Sequence, residues 1–222
     1  MSKTAWIIFS LLTAGILGLM IVISGADKID VSAIDINTIQ VGTKQNGNIA
    51  DHTEGSLNSK IILIEYGDYQ CPGCGTENPK TQAIVSKYSD KIKFVFRNFP
   101  LYIHTNAKAA AATAEAAGLQ GKFWQMHDKL YALQSEWSEL SADSRDKKLL
   151  SYAENIGLDI AKYKTDIASK EINSKINFDY SLGQKAAVDS TPSFFLNGKK
   201  LDYSTWSDDT KFTAAIEEAL KQ

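Results

Sequence analysis

The chain has 222 residues, 44% of them hydrophobic, and a formal net charge of −2, values of an ordinary globular protein that exclude a disordered chain or a nucleic-acid coat. Lys and Arg are interspersed with Asp and Glu throughout, so no basic stripe faces phosphates and no nucleic-acid partner is expected. Both cysteines fall at positions 71 and 74, leaving none for a structural disulfide elsewhere and pointing to chemistry at the pair.

In chain order, the first element is an uncharged run of nineteen residues, Ala5 to Ile23, enough to cross a hydrocarbon core of about 30 Å at about 1.5 Å per residue. An N-terminal transmembrane anchor over residues 1–26 is expected. Lys3 before the run and Asp27, Lys28 and Asp30 after it orient the short N-terminus inward and the remainder outside the cytoplasm. The alternative is a cleaved signal peptide, because Ser24, Gly25 and Ala26 are the small residues that a signal peptidase accepts. Either outcome delivers the cysteines to an oxidising space. Residues 27–57 are polar, contain Gly42, Gly47 and Gly55 and lack sustained periodicity, so they read as a linker, with Ile36 to Val41 as a possible short edge strand.

The folded domain is expected over residues 58–222, one α/β unit. Ile61 to Tyr66 is an apolar run of strand length, the pattern of a strand covered on both faces. Pro72 suits the first position of a helix, which makes Cys71 the cap residue and puts Cys74 in the first turn. Pro79 interrupts the hydrogen bonding of that helix and predicts a kink. Lys93 to Arg97 is the next strand, completing a βαβ unit. From about 103 to 187 the signals turn helical: an alanine-rich stretch from Ala107 to Ala117 before Gly118, then apolar residues at helical spacing from Phe123, Leu149, Ile160 and Ile172, giving four or five helices. Trp124 and Trp137 read as packing residues. Ser193 to Leu196 and Lys199 to Asp202 flank Asn197-Gly198, a hairpin signal, and a final helix runs from about Asp209 to Leu220.

Two cysteines separated by two residues at a helix start can close a disulfide. Exposed N–H groups and the helix dipole favour a thiolate at Cys71, so Cys71 is expected to form the mixed disulfide and Cys74, one turn in and shielded, to resolve it. The alternative, half of a zinc site, lacks partners: His52, His104 and His127 have no ligand spacing to the pair, so no metal is expected. Glu65 stands six residues before Cys71 within an apolar strand. If buried there, its carboxyl is pushed up by desolvation and can exchange the proton of Cys74; the other reading points it to solvent.

The run EYGDYQCPGC from Glu65 to Cys74 resembles the active-site strand and helix start of DsbA-like proteins of the thioredoxin superfamily. FRNFP from Phe96 to Pro100, GKFWQMH from Gly121 to His127 and STPSFFLNG from Ser190 to Gly198 resemble, in order, the next strand, a helix of the inserted subdomain and the loop carrying that family's cis-proline. The resemblance implies a thioredoxin fold with an inserted all-helical subdomain, Pro192 in cis, and the backbone of Thr191 pairing with an extended client segment. It also implies an active-site loop formed by Pro72 and Gly73, no cofactor, reduced cysteine-containing clients, and a quinone-linked membrane partner that reoxidises the pair. The implied activity is a dithiol oxidase, with a membrane-tethered reductase or isomerase, or a non-catalytic binding module, as alternatives. Two departures from the family pattern stand out: no histidine lies between the cysteines, and Ser190 stands where many relatives have glycine.

Overall fold

The computed structural model describes residues 29–221. The run Ala5–Ile23, and with it the expected anchor, lies outside the described residues; among those described, no helix is long and apolar enough to cross a membrane.

Strand β1 (His52–Gly55), β2 (Ile61–Gly67), helix α1 (Pro72–Lys87) and β3 (Ile92–Asn98) open the fold. Five helices follow, α2 (Ala107–Gly118), α3 (Phe123–Ala132), α4 (Ala142–Asn155), α5 (Ile160–Asp166) and α6 (Lys170–Lys185), and then β4 (Ser193–Leu196), β5 (Lys199–Lys200), α7 (Tyr203–Trp206) and α8 (Asp209–Ala219). The sheet order is β1-β3-β2-β4-β5. β2 runs parallel to β3, with Glu65 opposite Phe96, and antiparallel to β4, with Glu65 opposite Phe194. This central place explains the apolar run of β2, because side chains on both faces are enclosed. Leu63, Phe94, Phe96 and Phe194 form one buried face with Phe212 and Ile216 of α8. Tyr66 lies on the other face, edge-on to Phe99 and Phe195.

The helical insertion matches the expected periodicities to within a few residues, and α1 runs on through Pro79. Trp137 is fully buried and donates its indole N–H to the Leu130 carbonyl at 2.9 Å; Trp124 donates to Thr53 of the edge strand at 3.1 Å.

The linker expected over 27–57 is corrected from Val31 onward, because that stretch belongs to the same compact unit as the rest of the described chain. Its attachment is polar, which is why hydrophobic periodicity does not reveal it. Arg97 donates to the carbonyls of Ile36 and Thr38 at 2.6 and 2.7 Å, and Lys185 to those of Val31, Ser32 and Ile34 at 3.0, 2.7 and 2.6 Å. Gly47, at φ +67°, sits so close to the Glu171 backbone that a β-carbon would overlap the Glu171 carbonyl. The edge strand is His52–Gly55, whereas Ile36 to Val41 forms no strand.

Behind β3 lies a fully buried charge cluster. Asp51 accepts from Arg97 at 2.8 Å and from Lys175 at 3.0 Å, and Lys175 also donates to Asp179 at 2.7 Å. Burial alone raises a carboxyl, but the two cations outweigh it and hold Asp51 at about 2. Asp179, dominated by burial, is pushed up to about 6.

Candidate active site

Cys71 caps α1 in an extended conformation (φ −66°, ψ 121°), Pro72 occupies the first helical position, and Cys74 follows in the first turn. The sequence dictates this: proline at that position loses no hydrogen bond, and its fixed φ starts the helix. The sulfurs are unequal. Cys71 keeps 9% of its accessible surface and Cys74 none, and both are free thiols.

Thr191-Pro192 is a cis peptide, and the loop faces the pair. The Cys71 sulfur lies 3.3 Å from the Thr191 carbonyl, to which its thiol form donates. A β-carbon on Gly73 would stand 3.6 Å from the Cys71 sulfur, from Pro192 and from the Thr191 carbonyl, so Pro72-Gly73 and Thr191-Pro192 meet around the sulfur.

A hydrogen bond from the Cys74 side chain is the largest influence on Cys71. It outweighs burial and is joined by the Thr191 hydroxyl and the backbone N–H groups of Cys74 and Gly73, which together bring Cys71 down to about 5. The Thr191 hydroxyl is buried without a hydrogen-bond partner, so its proton is free to turn to the thiolate. The helix start thus contributes through specific N–H donors, and the strongest donor is the second cysteine itself. Cys74 moves the opposite way: burial, its bond to Cys71 and the charges of Glu65 and Cys71 push it well above 9.0.

Glu65 is 2% exposed and points into the core, not to solvent. Burial first, then the charges of Glu77 and Cys71, push its carboxyl up to about 8, and one of its oxygens has no hydrogen-bond partner. A carboxyl that is protonated at neutral pH beside a buried thiol is a proton donor and acceptor of suitable strength.

Three further residues border this site without any motif to mark them. Glu77 of α1 also has a buried oxygen without a partner, and its other oxygen accepts from Lys80 at 3.3 Å. Gln134, just beyond α3, donates to the carbonyls of Tyr69 and Cys71 at 2.7 and 2.9 Å. Tyr131 of α3 stacks at a tilt on Tyr69 with centroids 4.9 Å apart, and its buried hydroxyl is unpartnered. A sequence signal existed only for Tyr131, since position 131 lies one turn from His127 on the buried face of α3.

None of the three histidines approaches the sulfurs as a ligand. His127 is buried, held down at about 3 chiefly by that burial, and meets the Tyr69 hydroxyl at 3.0 Å. His52 pairs with Glu115 at 2.8 Å. His104 and the Leu101 N–H both bind the Asp68 carboxylate, at 2.7 and 2.8 Å, tying the loop after β3 to the active-site turn. Among the described residues, no three His, Cys, Asp or Glu side chains are grouped to hold a metal.

Known proteins share this fold. A thioredoxin family model matches residues 47–218. The chain is 36% identical over 151 residues to the Na(+)/H(+) antiporter NhaA 1 of Salinispora arenicola, and 35% over 151 residues to NhaA 3 of Salinispora tropica. Each match covers 68% of this chain but only 22% of the relative, so the chain spans about a fifth of those proteins. Among solved structures, BdbD from Bacillus subtilis superposes with a TM-score of 0.67 at 23% identity, over 83% of this chain and 98% of that one. A thioredoxin-like oxidoreductase from Silicibacter pomeroyi gives 0.65 at 23% identity, over 81% and 98%. The thiol-disulfide exchange protein alpha-DsbA2 from Wolbachia pipientis gives 0.66 at 23% identity, over 79% and 90%. With the family model spanning residues 47–218 and these structures superposing over about four fifths of the chain, the protein belongs to the thioredoxin family and has the DsbA-like form of its fold.

Proposed function

We propose that this protein is a thiol-disulfide oxidoreductase acting as a dithiol oxidase outside the cytoplasm, anchored by the run Ala5–Ile23. The observation that carries the direction is the contrast between the sulfurs: Cys71 is brought down to about 5 while Cys74 is kept protonated. Stabilising the Cys71 thiolate stabilises the reduced pair, and a stabilised reduced form makes the disulfide a stronger oxidant.

In this reading a client thiolate attacks Cys71 of the oxidised pair, and Cys74 leaves with the electron pair. Glu65 returns a proton to Cys74. A second client thiolate then attacks the client sulfur of the mixed disulfide, releasing the oxidised client and the Cys71 thiolate. The Thr191 backbone, beside Cys71, pairs with the extended client segment. Electrons leave the reduced pair to a quinone-linked membrane partner, and anchoring beside it raises the effective concentration.

The test is the equilibrium potential of the pair against glutathione, together with oxidation of a reduced, cysteine-bearing peptide. A potential near about −120 mV, with peptide oxidation lost in Cys71→Ser, supports the oxidase. A value near about −270 mV makes the protein a reductase. Equal behaviour of wild type and Cys71→Ser leaves only a binding module.

A further inference from the structure

Gln134 and Gln70 join two turns by a reciprocal exchange of hydrogen bonds. Gln134 opens a single 3₁₀ turn after α3, Gln134–Glu136, and its side-chain amide donates to the carbonyls of Tyr69 and Cys71 at 2.7 and 2.9 Å. Gln70, between those two residues, donates its own amide to the Ser138 carbonyl at 2.7 Å and accepts from the Asn106 N–H at 2.6 Å. Each glutamine thus ties down the backbone of the turn that carries the other. The half of this clasp that belongs to the insertion is itself fixed: the Gln134 carbonyl accepts from the N–H groups of Trp137 and Ser138 at 3.3 and 3.0 Å, and Trp137 is fully buried.

The two carbonyls that Gln134 holds flank the start of α1. That of Cys71 is the first acceptor of the helix, taking the Gly75 N–H at 3.1 Å, so Gln134 adds a second donor where the helix begins. That of Tyr69, a residue only 1% exposed, receives no backbone N–H among the described residues, and Gln134 is the donor that satisfies it. Gly75 makes the approach possible. A β-carbon there would stand 2.7 Å from the Gln134 amide oxygen and 3.0 Å from the amide carbon and nitrogen. Gly75 has no left-handed φ to require glycine, and glycine inside a helix gives up stability relative to alanine, so what this glycine supplies is clearance for Gln134.

The backbone of Cys71 decides where its sulfur lies. The groups around that sulfur belong to separate pieces of chain: Thr191 of the cis-proline loop, whose carbonyl is 3.3 Å away, and the N–H groups of Gly73 and Cys74 at the helix start. We propose that Gln134 is a positioning residue for thiol-disulfide exchange, which grips the carbonyls on either side of Gln70 and so holds the Cys71 sulfur against Thr191 and the helix-start N–H groups. It acts through the backbone of residues 69 and 71, and it makes the placement of the reactive sulfur depend on the helical insertion.

This inference deepens the exchange reading and rests on it. Gln134→Met keeps the length of the side chain and removes both donors. In the reduced full chain, the Cys71 titration followed by thiolate absorbance should move up by about one pH unit; at pH 7 this destabilises the reduced pair about tenfold and lowers its potential against glutathione by about 30 mV. Gly75→Ala should push the Gln134 amide off the same carbonyls and raise the titration likewise. In a Gln134→Ala background that contact is gone, so Gly75→Ala should leave the titration of the background unchanged and raise its urea midpoint, as alanine does within a helix. A side chain that only packs predicts a lower urea midpoint with titration and potential unmoved. That result in Gln134→Met, or a Gly75→Ala shift of the same size with and without Gln134, overturns the proposal, and if Gln134→Met fails to fold the Gly75→Ala comparison decides. A wild-type protein that exchanges no disulfide with glutathione overturns the oxidoreductase reading and this role with it; normal exchange with unmoved titrations overturns the role alone.

Discussion

Replacing Cys71 with serine tests the thiolate directly, because its effect on stability has a computable pH dependence. In the folded, reduced protein Cys71 titrates at about 5, against 9.0 for an ordinary thiol. Between those values the unfolded chain binds a proton that the folded protein does not, so stability from this group rises with pH by about 1.4 kcal/mol per pH unit. The contribution is fully present above 9.0 and is lost as pH falls through about 5. At pH 7 it amounts to about 2.7 kcal/mol, which solvent screening at the partly open sulfur reduces to about 2 kcal/mol. The same energy makes the disulfide more oxidising by about 40 mV than one closed by two ordinary thiols. The assay is urea unfolding under reductant at pH 5.5, 7 and 8.5, reading wild type minus Cys71→Ser so that contributions shared by both proteins, including that of Glu65, cancel to first order. The difference should grow with pH. A difference that stays flat, or shrinks as pH rises, refutes the account of Cys71 as a stabilised thiolate.

Glu65→Gln should separate stability from activity. The Glu65 carboxyl titrates at about 8 instead of 4.5, so it favours folding fully below 4.5 and loses that advantage progressively as pH rises through about 8. At pH 7 its burial costs about 3 kcal/mol, and a buried glutamine recovers roughly 2 kcal/mol of this; urea midpoints should rise while peptide oxidation slows, and a destabilised variant would contradict the assignment. Lys175→Met strips the cation shared by Asp51 and Asp179 and should cost about 3–5 kcal/mol, much of it restored when Asp179→Leu is added. Lys185→Met removes the donor to three carbonyls of residues 31–34, so limited proteolysis should cut that segment faster while the urea midpoint of the domain changes little; equal cleavage rates would show that Arg97 alone holds it.

How much of this was legible depended on which force built each part. β2, α1 and the five inserted helices are hydrophobic patterns, and their spans could be read to within a few residues from strand runs, Pro72 and the apolar spacing from Phe123 to Ile172. Cys71, Cys74 and the Thr191-Pro192 loop were legible as motifs. The segment from Val31 was misread as a linker because its hold comes from side chains donating to backbone carbonyls, a force with no periodicity. Arg97 and Lys185, the donors, look in the sequence like ordinary solvated charges. β1 was missed for a related reason: His52–Gly55 contains a histidine, a glutamate and a glycine, and its strand pairing comes from the edge of β3, not from its own propensity.

The groups that finish the site were hidden by a different circumstance, since they arrive from the insertion at places marked only by small residues. Gly67 leaves room for the Phe96 ring and, behind it, the Tyr131 hydroxyl, and Gly75 is pressed by Gln134, whose amide oxygen lies 2.7 Å from where a Gly75 β-carbon would stand. In sequence, both glycines look like local flexibility, although neither has a left-handed φ. Their common property is clearance. One lets a helix of the insertion descend onto the strand that carries Glu65, and the other lets it reach the helix that carries the cysteines. A β-carbon at either position would have to displace a packed side chain, the Phe96 ring and then Tyr131 at the strand or Gln134 at the helix. The insertion is therefore a structural wall of the redox pair, with Gln134 tied to the Cys71 carbonyl at its edge.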